Sequence, residues 1–193
     1  MNLALFTEFS VQEFYDSTVT QLAERRVFNI SDEDLCAEAA HIHIENILTV
    51  LNPGRLVLDG AMSEESYTDV NQKRRVRRWV EYCGSVRLLT LRPRQYYATP
   101  PHVSALQSPA SGQPGRIIIE HSLNGVSEEA QFDDFCASEF RKITDYTLWV
   151  NEDLTYYEQT ARSWLLTLIQ AKKKRICAPV ADMTEYAVDE STF

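Results

Sequence analysis

Residues 116–120 read Arg-Ile-Ile-Ile-Glu. Three consecutive β-branched side chains fit a pleated strand and crowd a helix, so this run commits the chain to at least one strand. Asn124-Gly125 follows with turn chemistry. Two further strands are expected upstream. Arg55-Leu56-Val57-Leu58 is closed by the Asp59-Gly60 turn. In the segment 86–91, Val86, Leu88 and Leu91 alternate with Arg87 and Thr90, although Leu89 breaks the period, and Pro93 ends it. Two or three short strands do not hold together alone in water. Helices must therefore supply most of the core, which predicts a helix-dominated α+β domain.

The helical signals agree. Ser10 and Glu13 form an S-x-x-E capping box, with Phe9 and Phe14 at the positions of a hydrophobic staple. Val11, Phe14, Tyr15, Val19 and Leu22 continue at helical spacing toward Arg25 and Arg26. A second helix is expected from Ser31, with Asp32, Glu33 and Asp34 in its first turn, to Leu51, before Pro53-Gly54. A third covers Ser63 to Cys83: Val76, Trp79, Val80 and Cys83 share a face, and Gly84 suits a helix C-terminus. A fourth starts at Ser127 and buries Phe132, Phe135, Cys136, Ile143, Tyr146 and Val150. Asn151-Glu152-Asp153 reads as a restart into a fifth, which buries Leu154, Tyr157, Trp164 and Leu165 and closes on Lys172–Arg175. The expected order is α-α-β-α-β-β-α-α.

The stretch 94–115 holds four prolines and several serines, and reads as a long flap. One domain over 1–180 is expected, with residues 181–193 as an acidic, frayed tail. No apolar run reaches the roughly 18 residues of a membrane span. The first residues lack the basic lead of a secretory signal, and Cys36, Cys83, Cys136 and Cys177 form no CxxC pair. A cytoplasmic protein with reduced thiols and no cofactor is the resulting expectation.

Charge is the most informative feature for function. The chain has 19 Lys and Arg against 28 Asp and Glu, a formal net charge of -9. Eight of the cations lie between 73 and 94 and four more between 172 and 175, and Glu81 is the one acidic residue inside either block. Arg74, Arg75, Arg77, Arg78, Arg87, Arg92 and Arg94 could form a patch for phosphates or an acidic partner, with Tyr96 and Tyr97 positioned to stack on bases. The competing reading is that these cations answer the chain's own carboxylates. Conversely, Asp32, Asp34, Glu38 and Glu45 could present an acidic face to a basic partner.

Catalytic signatures are sparse. His41 and His43 would stand about 200° apart on a helix, which prevents them from sharing one metal ion. No Walker loop, G-x-G-x-x-G, G-x-S-x-G or H-E-x-x-H occurs. His121, at the end of the best strand, could act with Asp133 or Asp134 in acid–base chemistry. The leading expectation is a non-enzymatic interaction protein: an accessory factor or inhibitor that docks through charged faces on a nucleic-acid-handling protein complex. Direct DNA or RNA binding through 73–97 is the first alternative, and a small enzyme using His121 the second. Acidic and basic surfaces on one chain also permit pairing between copies.

Overall fold

The computed structural model describes residues 3–123 and 126–177. The expected Asn124-Gly125 turn and acidic tail lie outside the described residues. The elements run β1 (Leu3–Ala4), α1 (Val11–Phe14), a π-helical stretch (Tyr15–Thr20), α2 (Gln21–Asn29), α3 (Asp32–Ala37), α4 (Ala40–Leu51), β2 (Val57–Thr68), β3 (Arg74–Cys83), a 3-10 turn (Val86–Leu89), β4 (His102–Val103), β5 (Ala105–Gln107), β6 (Gly115–Leu123) and α5 (Val126–Cys177). Among the described residues helix clearly outweighs strand, so the α+β, helix-dominated class holds.

An antiparallel sheet of four strands, ordered β2-β3-β6-β5, forms the centre, and a two-stranded ribbon joins β1 to β4. The expected sheet was smaller because one predicted helix is a hairpin. The segment expected to be helical over Ser63–Cys83 forms the end of β2, a turn at 69–73 and all of β3. Val76, Val80 and Tyr82 are buried at period two, and Arg78 fills the missing inward position. An arginine on the buried face breaks the apolar alternation, while Val76, Trp79, Val80 and Cys83 mimic helical spacing. β2 is largely exposed on both faces, so it carries no hydrophobic alternation at all.

Other expectations change as well. Val86–Leu89 is a 3-10 turn rather than part of a strand. Leu88, Leu89 and Leu91 are all buried, which explains why Leu89 broke the period. Asn151-Glu152-Asp153 does not restart a helix, because α5 runs unbroken for 52 residues, about 78 Å at 1.5 Å per residue. Asn151 instead acts as a strand partner: its side chain accepts from Leu56 N at 3.0 Å and donates to Leu56 O at 2.7 Å. The expected helix over 31–51 divides at Glu38 and Ala39, both extended. Ser10 forms its capping box with Glu13 as expected, whereas Phe9 of the staple is exposed.

One hydrophobic core lies between the sheet, α1 and the first half of α5, around Phe6, Tyr82, Ile117, Cys136, Ile143 and Leu154. A second joins Ala23, Val27, Leu35, Ile44, Ile47 and Leu48 to Leu165 and Ile169 near the other end of α5. Phe135, expected inside, is 44% exposed.

Candidate interaction surfaces

Strand geometry sends the arginines of β3 to opposite faces. Arg74 and Arg78 point toward α5, where Glu129 and Asp133 stand one turn apart. Arg74 bridges Glu129 at 3.0 Å, and Arg78 bridges Asp133 at 2.7 Å and Glu64 of β2 at 2.8 Å. Arg78 is buried and packs over the Phe132 ring at 5.4 Å. Burial works against its charge, and the bonds from Glu64 and Asp133 outweigh it, leaving the guanidinium more firmly protonated than usual.

Arg75 and Arg77 occupy the other sheet face around Glu120. Arg77 bridges Glu120 at 2.8 Å, Arg75 approaches it at 3.7 Å and also pairs with Asp69 at 3.1 Å, and Tyr67 donates its hydroxyl to Glu120 at 2.8 Å. Burial pushes the Glu120 carboxyl up, but the hydrogen bonds from Arg77 and Tyr67, with the nearby positive charge, hold it below its ordinary value. Further along that face, Arg116 pairs with Glu81 and stacks over Trp79 at 5.1 Å. The four arginines of β3 are thus paired with carboxylates from β2, the 69–73 turn, β6 and α5.

The other candidate cations are also engaged. Arg87 lies over Phe14 at 4.8 Å and Arg92 near Tyr96 at 6.0 Å. Arg94 gives its backbone N–H and its Nε to Asp153, at 2.7 and 2.6 Å. Three residues on, Tyr97 N donates to Tyr146 Oη at 3.0 Å, and His102 N donates to Glu139 at 2.6 Å. The partners 153, 146 and 139 are seven residues apart, so the segment after Arg94 runs antiparallel along one face of α5 and is fastened at each second turn. The expected flap is therefore a strap, which then supplies β4 and β5. Tyr97 packs against Trp149 and Tyr146, and Tyr96 remains exposed.

The predicted acidic stripe is split by the break between α3 and α4. Asp32 and Asp34 are exposed in the first turn of α3, which Ser31 caps. Glu38 is at the break, 3.5 Å from His43 Nδ1, and Glu45 pairs with Arg162 of α5.

His121 lines a cleft of about 420 Å³ with His102, Glu120 and Glu128, between β6, β4 and the start of α5. Its ring stacks on Phe132 at 5.7 Å. Asp133 is turned to Arg78, and among the described residues neither Asp133 nor Asp134 bonds to His121. Among these residues no cluster of three metal-ligating side chains occurs, and no helix is long and apolar enough to cross a membrane.

A surface the sequence reading did not single out lies across α2 and α4. Leu22, Arg25, Arg26 and Asn29 face His43, Asn46, Ile47 and Val50 across a groove of about 580 Å³. Leu22 is 42% exposed, Val50 58% and the neighbouring Phe28 82%. His43 is buried at its wall, and Nε2 has no hydrogen-bond partner among the described residues. The available signal was the pair Arg25-Arg26 beside Phe28: a helix-end reading accounts for the cations but leaves the aromatic ring unexplained. Comparison with known proteins found no matching family model, curated protein or solved structure.

Proposed function

We propose that this protein acts without catalysis, docking through its acidic surface on a protein partner that carries a basic face, as an accessory or inhibitory component of a nucleic-acid-handling complex. The observation that supports this reading is the neutralisation of the arginine-rich strand by Glu64, Asp69, Glu120, Glu129 and Asp133. With that block spent internally, a chain of net charge -9 presents a predominantly negative exterior. Such a surface repels phosphates and attracts Lys- and Arg-rich protein faces. Asp32, Asp34 and Glu38, clustered around α3, are the exposed carboxylates assigned to the contact.

The test is affinity capture from the source cell, with the wild type beside an Asp32→Lys/Asp34→Lys/Glu38→Lys variant. One specific protein partner should be recovered by the wild type, lost with the variant and weakened as salt rises. A partner retained by the variant would reject this surface, and recovery of no specific protein would reject the role. Direct DNA or RNA binding would need the bridged arginines to open, so a gel shift at low salt that Arg74→Glu/Arg77→Glu/Arg78→Glu abolishes would favour that reading instead.

A further inference from the structure

The groove across α2 and α4 goes beyond that role and does not depend on it. We propose that it binds an acidic amphipathic segment, and that its occupant is the chain's own stretch 180–190. The groove combines an apolar floor, from Leu22, Ile47 and Val50, with Arg25 and Arg26 on its rim. Among the described residues neither arginine forms an ion pair, unlike the cations of β3. In a chain this acidic, two unbridged arginines beside exposed Leu22, Phe28 and Val50 match a ligand that is both apolar and negative.

Residues 178–193 have that chemistry. They contain Asp182, Glu185, Asp189 and Glu190 and no Lys or Arg. Val180, Met183, Tyr186 and Ala187 fall at i, i+3, i+6 and i+7, within an arc of about 120° if wound as a helix, and Asp182, Glu185 and Asp189 fall beside it.

Connectivity brings the segment to the site. Near the end of α5, Lys172 Nζ donates to the carbonyls of Val27, Phe28 and Ile30, and Lys173 Nζ to that of Glu38. The chain therefore leaves α5 beside the end of α2 that carries Arg25, Arg26 and Phe28. Residues 178 and 179 join α5 to the segment and span up to about 7 Å when extended, so the segment would enter the groove at that end and run back along it. Docking would cover Phe28 and Val50 and offer His43 Nε2 a polar neighbour.

Hydrogen exchange on the full-length protein tests this directly, reading peptides that span 180–190. In the wild type these amides should exchange at least about tenfold more slowly than an unstructured chain. Arg25→Glu/Arg26→Glu should restore the unstructured rate, as should Met183→Ser/Tyr186→Ser. Peptides from α4 and α5 should keep their protection, which verifies that the variants fold. At about 1 M salt, where the screening length is only about 3 Å, protection should fall. Unprotected amides in the wild type overturn the proposal. So does protection that survives the groove variant, which places the segment elsewhere, or protection that grows with protein concentration, which makes the occupant a second copy.

Discussion

Replacing Arg78 by Met keeps most of the side-chain stem and removes the guanidinium. That group is 10% exposed, wedged between Glu64 and Asp133, whose side chains are 46% and 51% exposed. Breaking a fully buried pair costs about 3–5 kcal/mol, because the abandoned partner stays desolvated. Exposed pairs contribute at most about 1 kcal/mol. Here the cation is buried and both carboxylates can recover water, so the loss lies between these limits, at about 1–2 kcal/mol. Arg78→Ala also removes the methylenes of a buried side chain, each contributing about 0.8 kcal/mol, and should cost about 3–4 kcal/mol. Urea unfolding at neutral pH reads both variants as lowered midpoints at an unchanged slope. Arg74→Met, whose side chain is half exposed, should leave the midpoint close to that of the wild type. In a Glu64→Gln/Asp133→Asn background, the Arg78→Met change should cost less than it does alone. If Arg78→Met is as stable as the wild type, or no worse than Arg74→Met, desolvation of the guanidinium cancels its bridges, and the strand is not held in place by them.

Gly115 sits opposite Tyr82 in the β3–β6 register, where an added Cβ would meet the tyrosine ring at 2.4 Å and Gln107 O at 2.7 Å. Gly115→Ala should therefore destabilise by about 1–3 kcal/mol through overpacking, measured as a lowered thermal midpoint; an unchanged midpoint would refute the fit. Acid should weaken the open face of the sheet. Glu120 ionises more readily folded than unfolded, so its contribution is complete above the unfolded value of about 4.3 and is lost as pH falls through its lower folded value. Urea midpoints taken from neutral to acid pH should fall less steeply for Glu120→Gln than for the wild type, and parallel curves would show that Glu120 does not drive the acid sensitivity.

The legible parts of the fold were those where one physical signal acted alone. Ile117–Ile119 had no role but to fill a strand, and Ser10 with Glu13 none but to cap a helix, so both read true. Where a polar residue serves a distant contact, local reasoning misassigned it. Asn151 and Asp153 resemble a helix start in sequence, yet they bond Leu56 and Arg94 from the middle of α5. The break at Glu38 and Ala39 has no Gly or Pro to announce it. The strap was invisible for a related reason: Asp153, Tyr146 and Glu139 are spaced for one helix face, but nothing local marks Arg94, Tyr97 and His102 as their partners.

The candidate site poses the same problem in terms of charge. A block of cations at 73–94 looks like a surface awaiting phosphates because its counter-charges are remote in sequence: Glu64 and Asp69 precede it, while Glu120, Glu129 and Asp133 follow by tens of residues. The strand pairings bring Glu64 directly opposite Arg78 and Glu120 opposite Arg77, and α5 lays Glu129 and Asp133 over the same strand. Folding therefore removes the β3 arginines as a long-range electrostatic feature, since a paired cation a few ångströms from its carboxylate contributes little field beyond the screening length of about 8–10 Å. Arg25 and Arg26 are less conspicuous in sequence, being only two, but no described carboxylate answers them. The count of cations in a segment is thus a poor guide to where a negative ligand will bind. The better guide is which cations the fold leaves without a carboxylate, and by that measure the arginines of β3 drop out, while Arg25 and Arg26 on the groove of α2 stay among the candidates.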